Sequence, residues 1–112
     1  MTGNIIAMNN KYSIIKTTFP DKESAKKTAR LLVENRLAAC VQMLPVESVY
    51  SWKGEVCEEN EVMLLIKSKS DLYGKIEAAI RENHSYEVPE IVQIPITGGL
   101  PEYLNWIEEC TE

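Results

Sequence analysis

The sequence is short of basic residues, of paired cysteines and of long apolar segments. Its 12 Lys and Arg against 17 Asp and Glu give a net charge of −5, which disfavours binding to a phosphate backbone. The start, MTGNIIAMNN, has neither a basic region nor a long apolar run, so we expect neither a signal peptide nor a membrane span. The three cysteines form no CxxC pair, a pattern typical of the reducing cytoplasm. We therefore expect a cytoplasmic protein that binds neither nucleic acid nor membrane.

Histidine is also scarce, because His84 in the stretch RENHSYEVPEI is the only one. With one histidine and no motif around it, neither a Ser-His-Asp triad nor a Cys-His pair can be assembled. The segment KTTFPDKES contains no Gly, Arg or Cys, which excludes a glycine-rich phosphate cradle and a paired-thiol copper site in that loop. We expect no enzymatic activity.

What the sequence does contain is one pattern repeated twice within a single domain, residues 1–112. Residues 14–35 and 64–83 each run from apolar residues through a lysine and an aspartate into a helical stretch that ends in Glu-Asn. A β-rich run follows each helix, and LPEYLNWIEECTE predicts a short C-terminal helix. The order βαββαβ predicts an α+β, ferredoxin-like fold. Residues 1–11 are predicted to be a loosely ordered extension.

Individual residues predict where the helices begin and end. Asp21 is the expected N-cap of the first helix, and Ser70 or Asp71 that of the second. Asn35 and Asn83 are expected to end the two helices in the left-handed conformation.

The strand pattern predicts association with other copies of the chain. Pro45 and Pro95 place the second and fourth strands at the sheet edges, because proline cannot donate to a β-ladder. The hairpin arms, residues 38–52 and 55–68, are roughly 45 Å long, so about 20 Å of ribbon projects past the shorter first strand. VMLLI, residues 62–66, does not alternate, although two helices can cover only one sheet face. Either other copies cover this surface or a solvated ribbon with a bulge at Pro45 remains.

The aromatic residues at both ends of this surface are predicted to serve assembly. Tyr50 and Trp52 mark the hairpin tip, and Trp106 lies in the predicted C-terminal helix.

Three motifs resemble the CutA family, the divalent-cation tolerance proteins. They are AACVQMLP, VYSWKGEVCEENEVMLLIKS and HSYEVPEIVQIPITGGLPEYLNWI, and the resemblance runs from about Tyr12 to Ile107. It implies a cytosolic homotrimer of ferredoxin-like subunits with a role in tolerance of copper and other divalent metals. In family members interpreted as copper-binding proteins, a cysteine occupies the position of Thr17, and histidines occupy the positions of Asn83 and His84. Only His84 carries over, which implies weak binding of Cu²⁺ or another divalent metal.

Two candidate metal ligands each have an alternative interpretation. His84 is either a ligand or polar anchor in a crevice between subunits, or a helix-terminal residue that packs at a subunit boundary. Cys40 lies in an apolar run, where it is either a core residue or a ligand for Cu(I).

Four further residues are candidates for a ligand-binding cleft. Glu61 and Lys67 stand on an otherwise apolar strand and are expected to pair with each other, either as a structural ion pair or as part of a pocket. Tyr86 and Glu87 follow His84 in a segment that enters an edge strand.

Three functions remain open. The first is a trimer that responds to divalent metal through His84 and neighbouring carboxylates. The second is a signalling trimer similar in design to the PII regulators, which binds a small molecule or protein in clefts between subunits. The third is a structural assembly platform.

Overall fold

The computed structural model describes residues 10–112, so most of the predicted N-terminal extension lies outside the described residues. The elements are β1 (Tyr12–Phe19), α1 (Lys22–Glu34), β2 (Cys40–Trp52), β3 (Glu55–Lys69), α2 (Tyr73–Glu82, entered through a 3₁₀ turn at Ser70–Leu72), β4 (Ile91–Pro95) and α3 (Pro101–Cys110). The order βαββαβ plus a C-terminal helix confirms the ferredoxin-like prediction. None of the helices in the described part of the chain is both long and apolar enough to cross a bilayer.

The four strands form one antiparallel sheet in the order β2-β3-β1-β4. The edge positions of β2 and β4 confirm what Pro45 and Pro95 predicted. Helices α1 and α2 cover one face of this sheet, which we call the helix face. We call the other the open face.

The core lies between the helix face and the two helices. Ile15 and Phe19 of β1 meet Leu64 and Ile66 of β3, and all four are fully buried. Fully buried Leu32, Ile76 and Ile80 close the core from the helices.

The predicted N-cap is confirmed for α1 but not for α2. Asp21 accepts a hydrogen bond from the Ser24 amide at 2.7 Å, and this bond lowers the pKa of the Asp21 carboxyl. Ser70 and Asp71 were wrongly predicted as caps, because the 3₁₀ turn that they open has no side-chain cap. The hydroxyls of Ser70 and Ser13 instead lie 2.6 Å apart and join the turn to β1.

The helix ends differ from the prediction too. Asn35 and Asn83 have φ of −92° and −112°, so neither is left-handed. Their side-chain amides donate to the carbonyls of Leu31 and Ala79, four residues back, at 2.8 Å each. After α1 the left-handed conformation falls on Arg36, with φ of 59°.

The β2–β3 hairpin projects beyond the sheet, as predicted. β1 pairs with β3 only from Val62 onward, so residues 55–61 pair with β2 alone over roughly 23 Å. Lys53 and Gly54, with φ of 51° and 82°, form the two-residue turn at the tip.

Only part of the open face is covered. Helix α3 lies over the end of β3, where Lys69 Nζ is 3.3 Å from Glu108 and Lys67 Nζ is 5.7 Å from the centre of the Tyr103 ring. Apolar side chains elsewhere on this face stay about two-fifths exposed: Leu44 40%, Val92 43% and Ile94 43%.

Candidate functional site

The carboxylate groove

A groove of about 1000 Å³ lies between the projecting hairpin and residues 85–90. Strand geometry builds the β3 wall, because Cys57, Glu59 and Glu61 alternate along the strand and point to the same face. The carboxylates in its lining are Glu47, Glu59, Glu61, Glu87 and Glu90. Five acidic side chains in one concave surface favour a cationic ligand.

Two lysines partly balance this charge. Lys16 Nζ lies 3.3 Å from Glu90, and Lys53 Nζ lies 4.0 Å from Glu87. Glu59 and Glu61 instead receive hydrogen bonds from tyrosine hydroxyls.

Tyr86 forms a hydrogen bond to Glu61 on β3. Its hydroxyl donates to Glu61 Oε2 at 2.8 Å, and Glu61 is only 8% exposed. Burial, together with this bond to the carboxylate, raises the pKa of Tyr86 well above its ordinary value. Tyr86 therefore stays protonated and supplies the donor that a buried carboxylate requires.

A second pair of the same kind lies beside it. The Tyr50 hydroxyl donates to Glu59 Oε1 at 2.5 Å, and this bond raises the pKa of Tyr50 to about 12. Each phenol occupies one carboxylate oxygen.

His84 is held from three sides next to this groove. Its ring stacks on Phe19 with centroids 4.3 Å apart and planes 20° apart. Nε2 lies 2.5 Å from the Thr18 carbonyl oxygen, and Nδ1 accepts the Tyr86 amide at 3.2 Å. Because a carbonyl only accepts, Nε2 carries the proton and the ring is the neutral Nε2–H tautomer.

Where the predicted site residues lie

The groove brings together five of the predicted residues. Glu61, Tyr86 and Glu87 line it, and so do Tyr50 and Trp52, which were predicted for assembly.

The predicted pairing of Glu61 with Lys67 is wrong. Six residues along one strand separate them by roughly 20 Å. Glu61 binds Tyr86, whereas Lys67 donates to Gln42 Oε1 at 2.6 Å at the other end of the strand.

Cys40 also lies away from the groove. It pairs with Lys67 in the sheet, while Thr18, which contacts His84, pairs with Met63. Lys67 and Met63 are four residues apart on β3, which is roughly 13 Å, so Cys40 and His84 do not share a site.

Metal-capable side chains do not converge within residues 10–112. No group of three or more His, Cys, Asp or Glu side chains there is arranged to hold a metal ion. The three cysteines form no disulfide.

Glu47, Glu59 and Glu90 line the groove but were not predicted as site residues. The signal for Glu59 was present, because Glu59 and Glu61 alternate on β3 and so share a face. Glu47 and Glu90 gave no such signal, because their place in the groove depends on the path of residues 85–90.

Comparison with known proteins

The comparisons give one consistent family. The family model of the CutA1 divalent ion tolerance protein matches residues 13–110. The divalent-cation tolerance protein CutA of Thermus thermophilus is 43% identical over 99 residues, which cover 88% of this chain and 96% of that protein.

Solved structures agree with this match. The periplasmic divalent cation tolerance protein CutA from Archaeoglobus fulgidus superposes with a TM-score of 0.88 at 36% identity, covering 90% of this chain and 99% of that one. CutA1 from Shewanella sp. SIB1 gives 0.88 at 42% identity, covering 91% and 96%.

Some relatives are longer. The chloroplastic CutA protein of Arabidopsis thaliana is 40% identical over 99 residues, which cover 88% of this chain but 54% of that protein. The chain thus spans about half the length of the plant and mammalian relatives it matches.

Proposed function

Because the chain belongs to the family of CutA1 divalent ion tolerance proteins, we propose that it works as a non-enzymatic homotrimer that supports tolerance of divalent cations through weak cation binding. The observation that carries this proposal is the carboxylate groove. It gathers five glutamates, and because no three of them are arranged to hold one ion, only weak binding is expected. Glu59 and Glu61 each keep one carboxylate oxygen outside the tyrosine hydrogen bonds described above. Oxygen ligands of this kind suit hard cations and bind softer ones less selectively.

The trimer is supported by the surface that one chain leaves exposed. Leu44 of β2 and Val92 and Ile94 of β4 lie on the open face, and all three are about two-fifths exposed. A two-stranded ribbon as long as residues 46–61 is marginal without further contacts. Additional copies would cover both and would also border the groove.

We propose that the chain is not an enzyme because its only histidine already uses both ring nitrogens. Both ring nitrogens of His84 are in hydrogen bonds, so no free imidazole faces the groove. The cytoplasmic location stays a prediction.

Calorimetric titration with Mn²⁺, Zn²⁺ and Cu²⁺ tests the cation proposal. The double variant Glu59→Gln, Glu61→Gln should weaken binding of all three about tenfold, equivalent to about 1.4 kcal/mol. The charge-matched control Glu102→Gln, Glu109→Gln in α3 should bind as the parent does. Equal affinity in the parent and the groove variant would refute the carboxylate site, and binding of Zn²⁺ and Cu²⁺ but not Mn²⁺ would point to nitrogen or sulfur ligands.

A second function, signalling through a small molecule or protein bound between subunits, is favoured by the aromatic lining. Tyr50, Trp52 and Tyr86 join the carboxylates in a groove whose size suits a small organic ligand. Fluorescence titration against a set of organic cations, with Trp106→Phe to isolate Trp52, should reveal such a ligand. No change in Trp52 emission with any compound would favour the metal function.

A further inference from the structure

The surroundings of His84 disagree with its use as a metal ligand. A metal needs a ring nitrogen lone pair at about 2.0 to 2.1 Å. In the neutral Nε2–H tautomer the only lone pair is on Nδ1, and it accepts the Tyr86 amide. A metal there would leave the Tyr86 amide without its hydrogen-bond acceptor.

Second ligands are also missing around His84. The neighbours in contact with its ring are Phe19, Thr18 through its backbone carbonyl, and Tyr86. Within the described chain no set of three metal-capable side chains converges there or elsewhere. The residues present do not fit a histidine-centred metal site in one chain.

The same contacts define a different role. Phe19, fully buried in the core, fixes the plane of the imidazole, and the Thr18 carbonyl fixes its rotation. Nδ1 then fixes the backbone of Tyr86, whose ring lies 4.7 Å from the imidazole and whose hydroxyl reaches Glu61. One continuous series of contacts therefore runs from the core to a groove carboxylate.

We propose that His84 is a positioning residue that holds Tyr86 as a fixed wall of the carboxylate groove, and that it does not bind the metal. The inference rests on the proposed function only in taking this groove as the ligand site. It changes how a His84→Ala result is understood, because loss of affinity in that variant would follow from a displaced Tyr86 and not from a lost ligand.

Nitrogen-15 NMR of the full chain, labelled at its single histidine, separates the two roles. At neutral pH we expect a protonated Nε2 and an unprotonated Nδ1. Addition of Zn²⁺ should leave both resonances in place, even at concentrations where calorimetry shows the groove to be occupied. A stoichiometric shift of the Nδ1 resonance would overturn the proposal.

Hydrogen exchange of the Tyr86 amide tests the positioning itself. His84→Phe keeps a ring that can stack on Phe19 but lacks both nitrogens, and it should speed this exchange about tenfold. His84→Asn offers an amide oxygen near the place of Nδ1 and should restore part of the protection. Unchanged exchange in His84→Phe would overturn the proposal.

A double-mutant cycle supplies a readout that a merely structural role would not give. Tyr86→Phe should destabilise the parent more than it destabilises His84→Phe, because the Tyr86–Glu61 bond depends on the imidazole. Equal effects in both backgrounds would count against the link. If the parent binds no metal at all, the proposed function fails, while the tautomer, the exchange rate and the cycle still decide the role of His84.

Discussion

At the residue scale, Tyr86 and Tyr50 both donate a phenol hydrogen to a glutamate of β3, but their surroundings differ. Glu61, the acceptor of Tyr86, is 8% exposed, whereas the Tyr50–Glu59 pair is exposed to solvent. A hydrogen bond to a charged group is worth more when its loss leaves that group buried and unpaired.

Tyr86→Phe should therefore lower the free energy of unfolding by about 1 kcal/mol or more, measured by urea denaturation. Tyr50→Phe is the matched control, because it removes the same group from an exposed pair, and it should have a smaller effect. A larger loss in Tyr50→Phe than in Tyr86→Phe would contradict this ranking.

Asp21 links helix stability to pH. Its folded-state pKa lies below the ordinary value of 3.8, because the Ser24 amide donates to its carboxylate. The lowered pKa contributes stability above about pH 4, and this contribution is lost as the pH falls through the folded-state pKa. Asp21→Asn keeps a capping oxygen but cannot titrate, so its stability should fall less between pH 5 and pH 2.5 than that of the parent. Identical pH profiles from thermal unfolding would refute this link.

At this scale the residues of the groove were more predictable than their hydrogen-bond partners. Glu61, Tyr86 and Glu87 were predicted to belong to a cleft and do line one groove. The partner of Glu61 was wrongly predicted because Lys67 is near in sequence, although an extended strand carries it away at about 3.3 Å per residue. Tyr86 reaches Glu61 only through the turn after α2, which no local pattern encodes.

At the scale of elements, the hairpin turn depends on backbone conformations that favour glycine. Gly54 has φ of 82°, where an L-residue is strained, although a Cβ would meet nothing within 4 Å. Gly74 lies in α2, and a Cβ there would also meet open space.

Gly54→Ala should therefore destabilise the chain by about 1 kcal/mol through backbone strain. Gly74→Ala, the same change in a helix, should stabilise it by about 0.5 to 1 kcal/mol. Chemical denaturation of both variants measures the difference, and a Gly54→Ala variant as stable as the parent would contradict the strain argument.

Element order and strand placement were predictable because hydrophobic periodicity and proline are local signals. The ends of the helices were less predictable. Asn35 and Asn83 were expected to be left-handed, but their side chains bind back into the helix, and the left-handed conformation falls on Arg36. The Arg36 guanidinium donates to the carbonyls of Glu109 and Thr111, contacts that involve residues more than 70 positions away.

At the scale of the whole molecule, a lone chain and an assembly are expected to differ in whether the open face is covered. A surface where β4 and β2 leave apolar side chains two-fifths exposed is expected to be covered by other copies. Such coverage makes stability depend on protein concentration.

Val92→Lys should shift the native mass from trimer toward monomer and lower the melting midpoint. Val33→Lys is the matched control, since Val33 has the same exposure of 43% but lies on α1, away from the open face. Native mass spectrometry and melting at several concentrations measure both effects. A parent that is a folded monomer in dilute buffer, or a midpoint independent of concentration, would refute the trimer.

The pairing pattern of the sheet also bears on the order in which the chain folds. β2 and β3 pair across a two-residue turn, whereas Tyr12 of β1 pairs with Lys69, which lies 57 positions further along the chain. Closing the long loop costs more chain entropy than zipping the hairpin. We expect the hairpin to nucleate early and β1 to arrive later. Until then the edge of β3 that β1 later covers lies open, so the newly made chain is most vulnerable to aggregation in the same strand that later carries the groove carboxylates.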